Sequence, residues 1–330
     1  MDYGEILTDS LKLIWQENKL WVISLVGSAL LALAFAAYYL GAFGGQMSMF
    51  ALTMGTPDGA ISPEMGDEVV KAAMIYALAL VVAAVLGLIG YFLNLAARAG
   101  VVIEAARAWR GGQVDVKRGL RQGASKAITF FLLDLMWSLP LLIFMGFASV
   151  MGGLFFFQMM DNMIMEQPVE EPAIMPGVML GAFAIMGLSF CLVFIYGIVK
   201  MIFSPMMYQV AGQEKMGVGE SIRTGWHMAR ENLKIMIIAF IIVFAVQLVA
   251  SVILQVVYLP LNFLLMGPMM QNMMRMAVEG APPAMSAGVN WALVIVGALI
   301  AAFVTWLWVS FTQTFHLTFY ARVYQELQEK

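Results

Sequence analysis

A single acidic residue, Asp134, lies inside a long apolar run of the chain, from residue 127 to residue 160. A charged side chain inside a membrane helix is costly, about 3 kcal/mol at the centre, so Asp134, which is predicted in the inner leaflet, indicates a site for proton or ion coupling by default. Other polar residues fall at comparable depth near the ends of neighbouring apolar runs; they are Asn94, Arg98, Lys200, Gln313 and His316. The six side chains can equally form a structural polar cluster that holds the helices together, and we favour this second interpretation.

A second polar pattern lies in a later apolar run, where Gln247, Ser251 and Gln255 follow one another at intervals of four residues. This spacing predicts a polar stripe along one face of a helix. Such a stripe is typical of a substrate or water path, or of hydrogen bonds between packed helices, each contributing about 0.6 kcal/mol. We favour the structural interpretation here as well.

Methionine is concentrated in segments between the apolar runs. The densest group comprises Met266, Met269, Met270, Met273, Met274 and Met276. Clustered thioethers are the soft ligands that select Cu(I). The same residues suit a pliable apolar surface for lipids or proteins, which is the interpretation that we favour. No cofactor is predicted, since the chain has one cysteine and two histidines.

The composition determines which elements must position these residues. Of the 330 residues, 62% are hydrophobic and 12% are charged, against about half and a quarter in soluble domains. A membrane core needs about 20 apolar helical residues per crossing. We therefore predict an all-α, polytopic membrane protein, with residues 1–330 as a single membrane domain and 317–330 as a cytoplasmic tail. The six predicted spans lie at about 20–44, 72–97, 127–152, 177–200, 235–259 and 291–316.

The distribution of basic residues predicts the orientation. All but two of the 18 lysines and arginines fall on one side of the predicted spans, the exceptions being Lys71 and Arg275. Basic residues accumulate on the cytoplasmic side of membrane proteins. We therefore expect a multi-pass protein of the cell membrane with both termini in the cytoplasm. The basic stretch from residue 98 to residue 126 has few aromatic neighbours, so its expected partners are anionic lipid headgroups and not nucleic acid.

Each odd-numbered span is preceded by a short segment with helical periodicity, within residues 1–19, 114–126 and 219–234. In the third segment, Ile222, Trp226, Ala229 and Leu233 share a predicted apolar face. These segments predict a threefold repeat of an amphipathic helix followed by two spans.

Three segments carry a family resemblance: the run from Gly219 to Asn232 with Trp226, the closing run from Phe319 to Leu327, and the N-terminal Tyr3 to Leu7 with Trp15. Together they resemble the membrane-domain family named for glycerophosphoryl diester phosphodiesterases. The resemblance implies a six-span bundle of unassigned role. The soluble phosphodiesterase domain of some members has no counterpart in this sequence, so the resemblance does not imply hydrolytic activity.

These features predict a non-enzymatic integral membrane protein, a structural or accessory subunit or scaffold. Its expected partners are membrane lipids together with partner membrane proteins or a second copy of the chain. The alternative is a small transporter or permease with a polar interior around Asp134 and the stripe at 247, 251 and 255. No catalytic residues are predicted, because no phosphate-binding loop, paired-histidine motif or Ser/His/Asp arrangement stands out in the sequence.

Overall fold

The protein is described by a computed structural model, which places residues 2–54, 63–164, 174–214, 216–279 and 291–329. Side chains are described over 2–41, 76–146, 187–214, 216–260 and 295–329, with a few positions beside these ranges. Over this part of the chain the structure consists of helices and contains no strand. The prediction of an all-α fold is confirmed.

Eight helices follow one another along the described chain. They are α1 (Tyr3–Gln16), α2 (Asn18–Met54), α3 (Pro63–Trp109), α4 (Val116–Ile164), α5 (Ile174–Gln213), α6 (Val218–Glu231), α7 (Leu233–Glu279) and α8 (Trp291–Gln328). Six of them, all except α1 and α6, are long and apolar enough to cross a membrane, as predicted. The helices continue well past the predicted ends of the spans, because a helix ends where its backbone is capped and not where hydropathy falls. The predicted tail at 317–330, for example, is largely the last part of α8.

The predicted repeat agrees with the helix order in its first and third units. A short helix, α1 or α6, precedes a long one, and the breaks fall at Glu17 and Asn232. At the second break the Asn232 side-chain amide donates to the carbonyl of Met228 at 3.0 Å, which satisfies an orphan carbonyl of the helix end. In the middle unit residues 116–126 are continuous with the span in α4, so no separate short helix precedes that span.

The buried face of α6 agrees only in part with the predicted apolar face. Ala229 is buried as predicted, together with Ser221 and Gly225, whereas Trp226 and, at the start of α7, Leu233 are exposed by about 40%. The reason is the close approach of α6 to α5: a Cβ on Gly225 would lie 2.7 Å from the Cα of Met207. Only small side chains fit between helices at that distance, so the large apolar residues lie beside the contact.

The described chain divides into two compact units. Unit 1 comprises residues 1–127 and 241–330, and unit 2 comprises residues 128–240. Unit 1 therefore contains α1, α2, α3, the start of α4, most of α7, and α8. Unit 2 contains the rest of α4, α5, α6 and the start of α7.

The core of unit 1 lies at one end of α8, around the fully buried rings of Phe315, Phe319, Tyr320 and Tyr324. Glycines allow the start of α4 to approach α3. A Cβ on Gly123 would overlap the Ala96 carbonyl oxygen and lie 2.6 Å from the Gly100 nitrogen. Hydroxyl groups join α2 to α8, with Ser28 and Ser310 at 2.8 Å and Thr314 donating to Ser24 at 2.7 Å. These contacts position the polar residues of unit 1.

Candidate functional site

A polar cavity of about 190 Å³ lies in unit 1. It is lined by Asn94 and Arg98 of α3, Gln247 of α7, and Gln313 and His316 of α8. Asn94 and Arg98 are four residues apart and Gln313 and His316 three, so each pair lies on one helix face. Four of the six residues of the predicted cluster are thus brought together, and Gln247 of the predicted stripe joins them.

Two buried polar atoms of this cavity have no hydrogen-bond partner within the described chain: the Asn94 Oδ1 and the Gln313 Nε2. Leaving a buried polar atom unpaired costs about 1–3 kcal/mol. Arg98 differs from these two amides because it already takes part in a further interaction in the structure. Both atoms are buried away from the cavity space, so the amides of Asn94 and Gln313 line the cavity through their other atoms, beside the one cationic side chain, Arg98.

Asp134 lies in unit 2, where two groups compensate its charge. The Tyr208 hydroxyl donates to the Asp134 Oδ1 at 2.8 Å, and the Lys200 Nζ lies 3.6 Å from the same oxygen. The Lys200 ammonium also donates to the Ser138 hydroxyl at 3.2 Å. An acid paired in this way avoids most of the penalty of an isolated buried charge.

The sequence prediction placed Asp134 and Lys200 in the same cluster as Asn94, Arg98, Gln313 and His316. The structure describes the Asp134–Lys200 pair within unit 2 and the other four residues around the cavity of unit 1. Sequence reasoning missed Tyr208, because the fourth span was predicted to end at residue 200. The sequence does indicate a helix that continues beyond residue 200, because residues 201–213 carry no charge. Tyr208 lies two helical turns beyond Lys200 in this run.

Of the three residues in the predicted polar stripe, only Gln247 lines the cavity. Gln247 reaches the cavity, but the Ser251 hydroxyl donates to the Gln247 backbone carbonyl at 2.8 Å, and both Ser251 and Gln255 are exposed. The three residues therefore do not line one continuous path from the cavity.

The candidate copper ligands lie at positions whose side chains fall outside the part that the structure describes. They are Met266, Met269, Met270, Met273, Met274 and Met276. Within the described residues no group of three or more His, Cys, Asp and Glu side chains could hold a metal ion. The copper interpretation stays untested.

A second charged site in unit 1 was not anticipated from the sequence. The Glu104 carboxylate is fully buried and accepts from Arg107 at 2.8 Å and from Arg118 at 2.7 and 2.8 Å. It also accepts from the backbone nitrogen of Asp115 at 3.0 Å. The signal was an acid three residues before Arg107, inside a strongly basic stretch. This site links α3 to the start of α4.

The helices and their polar contacts define a multi-pass helical membrane protein. The chain belongs to the Family of unknown function (DUF7544), which it matches over residues 17–329. No curated protein and no solved structure matches it. The family description assigns no activity, and the resemblance to the glycerophosphoryl diester phosphodiesterase membrane family stays a prediction.

Proposed function

We propose that this protein is a non-enzymatic accessory subunit or scaffold of the cell membrane, which contacts lipids and partner membrane proteins. The observation that carries the proposal is the arrangement of α1 and α6. Each of these short helices buries a narrow face against its own unit and leaves an indole exposed. Tryptophan is enriched at membrane interfaces, where one part of the ring is apolar and the other is hydrated.

Helix α1 is held at both ends. The Asp2 carboxylate caps its start by accepting from the backbone nitrogens of Gly4 and Glu5, at 2.9 and 3.2 Å. Near its end Trp15 is 72% exposed, although its ring lies 6.5 Å from that of Phe311. A helix that presents an indole in this way supports contact with lipid or with a partner protein.

Helix α6 is positioned by ring stacking, with the Trp226 and Phe203 centroids 4.3 Å apart. The exposed side of the helix carries Arg223 and Arg230. Each basic residue near an anionic leaflet contributes about 1 kcal/mol of attraction. Glu220 and Glu231 are exposed on the same helix and balance these charges, so the support for a lipid partner of α6 comes from its exposed indole.

Transport is the second candidate function, and the polar cavity at Arg98 and Gln247 favours it. Against transport stands the pairing of Asp134 with Lys200 and Tyr208, since a coupling acid must exchange its proton. A fixed ion pair is better suited to holding α4 on α5 within unit 2. The accessory role is therefore the better supported of the two.

The accessory role predicts a membrane protein that co-isolates with the chain in fixed stoichiometry. The full chain, isolated from its own membrane in polymer discs, is expected to retain that partner, and Trp15→Ala is expected to reduce its recovery severalfold. Lys12→Gln, a change of an exposed residue on the same helix, serves as the control and is expected to have no effect. Solute uptake by vesicles that contain only this chain, abolished by Asp134→Asn, would instead favour transport.

We also propose that both termini are cytoplasmic. In a Cys191→Ser background, cysteines at the exposed positions Thr8 and His227 are expected to react with a membrane-impermeant maleimide only after the cells are opened. A cysteine at Val70, which lies at the opposite end of its span, should react in intact cells. Labelling of Thr8→Cys in intact cells would show that the N-terminus lies outside the cell, which contradicts the proposed orientation.

A further inference from the structure

Three basic side chains of unit 1 are exposed and have no partner in the described chain. Arg107 and Arg118 are paired with the buried Glu104 carboxylate. Arg98 and Lys126 take part in interactions of their own. The members of the basic stretch that remain are Arg110, Lys117 and Arg121. Their side chains make no hydrogen bond or ion pair with the residues that the structure describes, so their charges are available to a partner outside the chain.

The packing of α4 against α3 fixes the face on which Arg121 lies. A Cβ on Gly123 would lie 2.6 Å from the Gly100 nitrogen of α3, and Gly119, one turn earlier, is buried as well. Successive residues of a helix are about 100° apart, so Arg121, two residues from each glycine, lies on the opposite, outer face of α4. Lys117 is one turn before Arg121 and shares that outer face.

The exposed apolar residues of unit 1 show how far the hydrocarbon layer of the membrane extends. Leu93 is the last exposed residue of α3, and none of the described residues 94–109 is exposed. On α8, which packs against α3, the same change follows Val309, since residues 310–327 are buried or half-buried. Large exposed apolar surfaces mark contact with lipid, so the membrane core ends near Leu93 on α3 and near Val309 on α8.

Arg121 lies close to the level of the lipid headgroups. Gly123 lies against the backbone of Ala96 and Gly100. Because α3 and α4 run in opposite directions, Arg121 is about level with Gly100, which is about 10 Å beyond Leu93 along α3. The headgroup region is about 5–8 Å thick on each side of the membrane core. A long basic side chain spans the remaining distance, as such side chains do at the ends of membrane helices.

The other two exposed cations lie farther from the membrane. Lys117 is about 6 Å beyond Arg121 along α4. Arg110 follows the end of α3 and is about 25 Å beyond Leu93. An exposed acid, Asp115, lies in the same connection and offsets part of its charge. Since attraction between charges in water is largely screened beyond about 8–10 Å, Arg110 is exposed like Arg121 but too distant to bind a headgroup.

We propose that Arg121, supported by Lys117, binds the phosphate of an anionic phospholipid on the outer face of α4. A guanidinium donates two parallel hydrogen bonds to phosphate oxygens. The headgroup of phosphatidylglycerol is an anion, whereas phosphatidylcholine carries a cation beside its phosphate, so charge complementarity favours phosphatidylglycerol. The proposal rests on the lipid contact of the proposed function and gives that contact a site. It is tested on the chain without partners, so its failure leaves the co-isolation result intact.

The test measures the binding of single lipids to the purified, delipidated full chain in a neutral detergent. Mass spectrometry of the intact complex gives the fraction of protein with a bound lipid during titration with phosphatidylglycerol or, as the comparison, phosphatidylcholine. We expect saturable binding of phosphatidylglycerol that is tighter than the binding of phosphatidylcholine. Equal affinities for the two lipids would overturn the proposal.

Two matched variants connect the binding to the outer face of α4. Arg121→Gln is expected to weaken the affinity for phosphatidylglycerol about fivefold, the usual contribution of one basic residue near an anionic leaflet. Arg110→Gln removes the same charge from another exposed position and is expected to leave the affinity unchanged. Equal weakening by both variants would indicate a general effect of net charge and would contradict the proposal. An unchanged affinity in Arg121→Gln would contradict it as well.

Lys117→Gln provides an independent readout if Arg121→Gln fails to fold. Because Lys117 is one turn farther from the membrane, we expect its replacement to weaken the affinity for phosphatidylglycerol about twofold, more than Arg110→Gln does and less than Arg121→Gln does. An affinity in Lys117→Gln equal to that in Arg110→Gln would count against the outer face of α4 as the lipid site.

Discussion

Replacing Glu104 by alanine is expected to destabilise the protein by about 3 kcal/mol, the lower end of the range for breaking a buried ion pair. The carboxylate is fully buried and is the common acceptor for Arg107, Arg118 and the backbone of Asp115. Arg118 binds it through two parallel hydrogen bonds, the strongest geometry for this pair. We expect a loss at the lower end of this range because Arg107 and Arg118 are each about one-third exposed, so water can hydrate them once the carboxylate is removed.

The measurement is the free energy of unfolding in mixed detergent micelles, with Asp9→Asn as the control. Asp9 and Lys12 form a pair on the exposed side of α1, 3.5 Å apart, and such pairs contribute about 0.5 kcal/mol or less. A loss for Glu104→Ala no greater than that for Asp9→Asn would show that the α3–α4 connection does not depend on this carboxylate.

Replacing Gly123 by alanine is expected to destabilise the protein about as much as Glu104→Ala does, but for a different reason. The helix start at Gly123 lies directly against the α3 backbone, so an added Cβ would collide with the Ala96 carbonyl and the Gly100 nitrogen. Neither obstacle is a flexible side chain, so the two helices must separate. Overpacking of this kind costs about 1–3 kcal/mol, and the backbone collision places this change at the upper end.

The matched control lies on the same helix. Gly146 has no atom within 4 Å of its would-be Cβ, so Gly146→Ala adds no collision. It should leave stability unchanged or raise it by up to about 1 kcal/mol, because alanine is the better helix former. Unfolding of both variants under identical conditions makes the comparison. Equal changes in stability for Gly123→Ala and Gly146→Ala would contradict close backbone packing between α3 and α4.

The depth of polar residues along their spans was predictable from the sequence. Asn94, Arg98, Gln313 and His316 were expected at comparable depth near the ends of their spans, and all four line the cavity. Contacts between helices were harder to predict from the sequence. The hydrogen-bond partners of Glu104 and Tyr208 were identified only in the structure, because each of these residues is paired with residues on another turn or another helix.

The buried face of α6 illustrates the physical limit of pattern reading. Periodicity identifies the apolar face, and that face includes Trp226 and Leu233. The residues that α6 buries are Ser221, Gly225 and Ala229, and of these only Ala229 belongs to the predicted face. Trp226 stacks on Phe203 of α5 and is still 41% exposed. Where two backbones approach closely, dispersion contacts between small residues outweigh the burial of larger ones, a preference common among membrane helices. The hydropathy pattern does not predict the distance between two helix backbones.

The amino-acid sequence by itself determined that this protein is helical, that it has six spans and that a short helical segment precedes the first and the fifth span. Those properties depend on local quantities, namely hydropathy over about 20 residues and helical periodicity. Only the tertiary structure decided which polar residues meet. Asp134 gained Lys200 and Tyr208 as partners, and Asn94 and Gln313 were left facing a cavity. The physical reason is that these contacts depend on the rotation and axial register of each helix, which side-chain packing between helices decides.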